Sequence, residues 1–503
     1  MSLPQTSPEI RSFAPLAVAV FAAVVTLFAP QLLNDGDTWW HVGAGHWIFA
    51  HGYVPNADPF SFTAQGRPWQ AHEWLSEILM AAAYNAGGWA GMMVLFGLAT
   101  GSAAYIMVRW LTRHLGGVTL VVVVAVTLSC MSPSLLARPH LLVLPILTLW
   151  MVELLQARAE NRAPHLAYAL LMIPWANMHG SYVFAIFIAG AFGLEALVAN
   201  WKDRWTVIRT WGLFGLAAFA ATLVTPHGLE GLLFPFQVIT MRGLQSIDEW
   251  KAANFTQLGP FEIALMATLF IGFYRGVKVP LFRLLLMILL LHMALQHIRH
   301  LMTLAMIAPF LLAQPIAEAL GQRPNSARTP RFVWGLVAVA AIGLASARMA
   351  IPLVRGDRAN SPVTALSHVP AAYRSQPVIN EYSFGGILIF HGIRPYIDGR
   401  ADMYGDDFLA DFLQMIRPDV PRIQAAIERY DIRWTIFSTR NRTPAWLDTQ
   451  PGWRRLYADR YAIVHIYEGP PRRRRATAAP QASTTPPLAA PAAGTNAPSS
   501  TNR

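Results

Sequence analysis

The chain has 503 residues, 54% of them hydrophobic and only 13% charged, with a net charge of +11. Soluble domains carry roughly 25% charged residues, so too little charge is present to coat a water-facing surface, and lipid is the expected solvent of most of the chain. The surplus Lys and Arg sit in short loops between apolar runs and in one tail, which sets a membrane orientation and argues against a nucleic-acid partner; the single cysteine, Cys130, excludes disulfides within the chain.

In chain order, eleven apolar runs approach the roughly 20 residues that a span needs: 13–33, 88–108, 117–134, 139–156, 164–178, 180–200, 209–225, 259–275, 279–297, 301–320 and 332–353. The first is too long, and lacks the small-residue cleavage site, for a removed signal peptide. Basic residues gather on one side of these runs: Arg109 and Arg113, Arg158 and Arg162, Lys202, Arg204 and Arg209, Arg275, Lys278 and Arg283, then Arg323, Arg328 and Arg331. By the positive-inside rule that side, with the N-terminus, is cytoplasmic.

The expected fold is an α-helical polytopic membrane protein with a small C-terminal soluble α/β domain. Residues 1–353 form a transmembrane domain of about eleven helices, with outer loops 34–87 and 226–258. Residues 354–470 form the α/β domain, outside the membrane, and 471–503, basic and then Pro/Ala-rich, a disordered tail. Within 354–470, residues 385–390 and 434–437 read as strands, 420–430 as a helix and 456–467 as a closing hairpin.

The unusual polar residues fall at the outer ends of the runs, where ionisable groups mark functional cavities. Asp35 and Asp37 follow the first run directly, in Asn34-Asp35-Gly36-Asp37-Thr38-Trp39-Trp40-His41. Residues 38–51 read as an interfacial helix anchored by Trp39, Trp40 and Trp47, broken at Gly52-Tyr53-Val54-Pro55. One carboxylate here can act as general base toward an acceptor hydroxyl. Alternatively the pair holds a divalent cation, Mg or Mn, against a phosphate, or the two acids merely cap the helix. His72 and Glu73 form a second acid/base pair or cap the helix expected at 75–86, and His41 joins them as a substrate contact.

Arg138 and His140, at the turn between the third and fourth runs, and Arg299 and His300, between the ninth and tenth, either cradle a phosphate or snorkel to headgroups. Arginine on the outer side runs against the positive-inside bias, which favours the functional use. Asn177, His179 and His227 adjoin Gly or Pro, so a turn explains their backbone but not the imidazoles. Ligand spacing of the His-Glu-x-x-His kind is missing, which disfavours zinc. Asp398-Gly399-Arg400-Ala401-Asp402 reads either as an acceptor-binding loop or as a tight surface turn. In the turn, Gly399 takes positive φ and Arg400 pairs with Asp402 for about 0–1 kcal/mol.

The acidic pair after the first run, the interfacial helix and Gly52-Tyr53-Val54-Pro55 together resemble the opening of the GT-C superfamily. These are integral-membrane glycosyltransferases that include protein O-mannosyltransferases and bacterial aminoarabinose lipid A transferases. Asn380-Glu381-Tyr382-Ser383-Phe384-Gly385-Gly386 and the stretch from Tyr396 to Gly405 resemble the periplasmic end of uncharacterised bacterial members. The resemblance implies an enzyme of the bacterial inner membrane with its C-terminal domain in the periplasm. It would move a sugar, with inversion, from a polyprenyl-phosphate donor to a lipid, glycan or protein acceptor. Asp35 and Asp37 take the places of the loop acids, one of them a base or a metal ligand. Asp-Gly-Asp replaces the adjacent Asp-Glu of the mannosyl and aminoarabinose branches, which leaves the base open between the two. Other classes are a transporter or flippase of lipid-linked glycans, which should show repeated halves and broken helices at mid-membrane, and a non-catalytic assembly subunit.

Overall fold

The computed structural model describes residues 8–322, 331–417 and 419–470. Arg323, Arg328 and the expected tail 471–503 lie outside the described residues.

Each of the eleven apolar runs coincides with helical structure. Among the described residues, four helical stretches are long and apolar enough to cross a membrane: Trp74–Leu111, Gly117–Ser134, Tyr182–Ala199 and Ile298–Ala319. Shorter apolar helices include Phe13–Phe28, Leu281–Gln296 and Gly335–Ala350. Proline explains part of the shortening. The run at 139–156 is split into Pro139–Leu142 and Leu144–Ala159, each opening with a proline in its first turn, where the missing N–H costs nothing. Apolar side chains such as Phe270, Phe273, Val339 and Ile342 remain largely bare, a surface suited to lipid rather than water.

The helix expected at 38–51 is present as Asp37–His51, and Gly52 ends it at φ 74°, a left-handed position that favours glycine. The helix expected at 75–86 and the second run are one 38-residue helix, Trp74–Leu111, bent where Gly87 and Gly88 leave helical geometry.

The C-terminal sheet has four strands in the order β1-β2-β4-β3: β1 Val378–Asn380, β2 Trp434–Ser438, β3 Trp453–Ala458 and β4 Ala462–Tyr467. β1 and β2 are parallel, and the remaining pairs are antiparallel. The expected helix at 420–430, strand at 434–437 and closing hairpin are all in place. Residues 385–390 are a correction: they form the helix Gly385–Phe390, not a strand. A short continuous apolar run does not distinguish the two by periodicity. Here the run packs against the Asp37–His51 helix, and residues 385–389 are buried throughout.

The 398–402 segment is a second correction. Gly399 is not among the residues with positive φ, and Arg400 is 1% exposed. Its partners are Asp398, through Nε and Nη2 at 2.8 and 2.7 Å, and Asp58 of the first outer loop, through Nη1 at 2.8 Å. Trp69 and Phe60 lie against its guanidinium, at 4.6 and 5.1 Å. Asp58 also accepts from the amides of Phe60 and Ser61, and Tyr404 donates its hydroxyl to Asp398 at 2.7 Å. The C-terminal residues and the first loop therefore share one buried ionic core, in place of a surface turn.

Candidate functional site

Three segments converge on Asp35 and Asp37. The first run ends in a single 3-10 turn, Pro30–Leu33, after which Asn34 to Gly36 turn the chain into the Asp37–His51 helix. Ala137 is tied to this turn at two points. Its amide donates to Leu32 O at 2.8 Å, and its carbonyl accepts from Thr38 Oγ1 at 3.1 Å. Those bonds deliver the next residue, Arg138, to the acids. From the far side Arg355 donates to Asp35 O at 2.9 Å, with its guanidinium over Trp39 at 4.2 Å and Trp89 at 4.7 Å.

The Arg138 guanidinium is spent on carboxylates. Nε and Nη2 form a fork on Asp35, the Nη2 arm at 2.9 Å. Nη2 also meets Asp37 Oδ2 at 2.9 Å, and Nη1 meets Glu249 Oε2 at 2.5 Å. Asp35 is 4% exposed, and its Oδ1 accepts the Asp37 amide at 3.2 Å, so Asp35 does partly cap the helix. Asp37 makes no cap bond; it stands in the first turn with its side chain 26% exposed.

The two acids differ sharply in proton affinity. Burial would raise Asp35, but the Arg138 guanidinium overrides it and holds this carboxyl below the usual range. At Asp37, burial and the neighbouring charges of Asp35 and Glu249 prevail over Arg138 and push the carboxyl up to about 7. Glu73 is pushed up to about 8, chiefly by burial. Asp402, within electrostatic reach of Glu73, rises to about 6 for the same reason.

The expected histidines divide. His41 lies between Glu73 at 3.8 Å and Glu77 at 3.6 Å, beyond hydrogen-bonding distance, and burial keeps its imidazole neutral. His72 and His179 approach Glu73 at 3.8 and 3.7 Å, and burial lowers His72 to about 4. His227 lines a small pocket with His72 and Phe234. His140 contacts the Ser134 carbonyl at 2.9 Å, and His300 packs against Phe184. Asn177 is occupied structurally: its amide donates to Ile173 O and Val224 O, and its oxygen accepts Trp74 Nε1 at 2.6 Å. Arg299 lies over Trp250 at 4.2 Å and stands 3.9 Å from Glu249, with a third of its side chain exposed.

Arg355 went unremarked from the sequence, while Glu249 was noted only as an acid of the second outer loop and Asp402 only within the 398–402 segment. Arg355 stands just beyond the last apolar run.

Neither a family model nor a curated protein matches the chain. Solved structures do. Over 85% of this chain and 69% of its own, the archaeal oligosaccharyltransferase AglB from Archaeoglobus fulgidus, in complex with an inhibitory peptide and a dolichol-phosphate, superposes at a TM-score of 0.53 with 11% identity. ArnT from Cupriavidus metallidurans, bound to undecaprenyl phosphate, superposes at 0.51 with 12% identity, over 90% of this chain and 97% of its own. This is the GT-C fold. At such identities the likeness extends to the architecture alone. Within the GT-C frame, the Asp35–Asp37 turn and the 398–402 segment meet at one place: a Cβ on Gly399 would fall 2.0 Å from Asp37 Oδ1.

Proposed function

We propose that the chain transfers a sugar from a polyprenyl-phosphate donor to an acceptor at the non-cytoplasmic face of a membrane, with Asp37 as the general base. The observation that carries this reading is the division between the two loop acids. Asp35 is locked as a carboxylate by Arg138, while Asp37 is partly exposed and has a proton affinity matched to neutral pH. A base works best with its pKa near the working pH.

In the proposed step the acceptor oxygen or nitrogen attacks the anomeric carbon. The bond from that carbon to the phosphate oxygen breaks, the polyprenyl phosphate leaves with the electron pair, and the acceptor proton passes to Asp37. A single displacement inverts the anomeric centre. Arg299, whose nearest carboxylate is 3.9 Å away, is a cation with donors to spare for the departing phosphate. Arg138 keeps the acids in place. Glu73, raised to about 8, is held protonated near neutrality and can donate a hydrogen bond to substrate, with His72 and His179 around it. The basic loops on one side of the apolar runs support an N-terminus in the cytoplasm, with residues 354–470 outside.

The test is transfer from labelled polyprenyl-phosphate sugars by purified protein. Asp37→Asn should lower kcat by about 100- to 10,000-fold, the usual contribution of a base. Unchanged transfer by that variant overturns the assignment, and a wild-type chain that moves glycolipid across vesicles without transferring sugar establishes the transporter class instead.

A further inference from the structure

A divalent cation between Asp35 and Asp37 was one expectation, and the residues do not fit it. Both Asp35 oxygens and Asp37 Oδ2 are turned to the nitrogens of Arg138. The remaining Asp37 Oδ1 is pressed against Gly399. Glu249, the third acid in reach, is taken up by the same guanidinium. Magnesium asks for near-octahedral oxygens at about 2.0–2.1 Å, and with Arg138 seated among the acids no group of three or more His, Cys, Asp or Glu among the described residues is arranged to hold a metal.

We propose that Arg138 is the resident cation of this site, standing where a metal would otherwise bridge Asp35 and Asp37, and that these acids take up a metal only when its guanidinium is removed. Three arguments converge. First, all three nitrogens of the side chain are matched to acids, from the first loop on one side and the second on the other. Second, arginine cannot shed its proton to make room for a second cation, and two cations a few ångströms apart repel strongly away from bulk water. Third, the backbone holds Arg138 in place through the Ala137 bonds to Leu32 and Thr38, so its position does not depend on the acids alone.

The proposal deepens the transfer reading of the same acids, but its decisive readout needs no substrate. Mn2+ alone is titrated into the full-length protein in detergent, and bound ion is counted by electron paramagnetic resonance. Wild type and Arg138→Lys should bind no ion that depends on Asp35. Arg138→Gln should bind one Mn2+ per chain, lost again in the Arg138→Gln, Asp37→Asn double variant. Wild-type Mn2+ binding that Asp35→Asn abolishes overturns the proposal, and so does a folded Arg138→Gln that binds nothing. Should Arg138→Gln fail to fold, the wild-type measurement alone decides. Where transfer is observed, EDTA should leave its rate unchanged; loss on EDTA with recovery in Mn2+ overturns the proposal as well. Absence of transfer under every condition counts against the function reading, while the Mn2+ counts still decide this one.

Discussion

Asp35 and Asp37 lie two residues apart, share one arginine, and titrate in opposite directions. Asp37, raised to about 7, carries its proton below that pH and cannot accept another; above it the carboxylate is ionised and can. Asp35, lowered, stays ionised throughout. The transfer rate should therefore climb as pH passes upward through about 7, and a pH–rate profile of single-turnover transfer checks this. A rate that is flat from the acid side through neutrality removes Asp37 from the role of base. Both aspartates were legible in the sequence because they are acids placed directly after an apolar run. The asymmetry between them was not, because it comes from burial and from the charges of Arg138 and Glu249, about 100 and 200 positions away. Arg138 itself stood out as an outward arginine, but its pairing partners are not encoded in any local spacing. Asn177 shows the opposite case: a polar residue at an outer turn whose hydrogen-bonding capacity is spent on backbone and Trp74.

The Asp37–His51 helix followed from its tryptophans and the glycine that ends it. The Gly385–Phe390 helix did not follow, since six apolar or small residues suit a buried strand equally well. Its two glycines carry the reason for its position. A Cβ on Gly386 would fall 2.3 Å from Gly36 O, and one on Gly385 would fall 2.3 Å from Ile397 O. The helix thus lies directly on the turn that bears Asp35 and Asp37. Gly399 does the same from the other side. Gly399→Ala should push the Asp37 carboxylate out of place, reducing transfer sharply while costing about 1–3 kcal/mol of stability, as overpacking usually does. Transfer kinetics beside a chemical-denaturation curve separate the two effects, and an alanine variant with full activity would show that Asp37 does not need this wall.

At the scale of the whole chain, the first outer loop and the C-terminal residues are tied together by a buried ion pair. Composition disclosed the lipid-facing part, and strand alternation disclosed β2 and the closing hairpin. The join between them was illegible because its charges, Asp58 and Arg400, look like ordinary surface residues until both are seen buried. Removing one partner of a buried pair costs roughly 3–5 kcal/mol. Arg400→Ala should lose about that much in denaturant unfolding, against about 0–1 kcal/mol for an exposed pair. A periplasm-active reporter fused after residue 470 should be active; a silent fusion reverses the orientation. Asp58 and Arg400 lie 342 positions apart, and the separation has a temporal meaning. A ribosome adds about 5–20 residues per second, so Asp58 waits roughly 17–70 s for the arginine that pairs with it. A chain stopped before that arginine would keep Arg138 on Asp35 and Asp37 yet lack the partner of Asp58. Asp58 would then stand without its cation, so the first loop should reach its full stability only once Arg400 has been made.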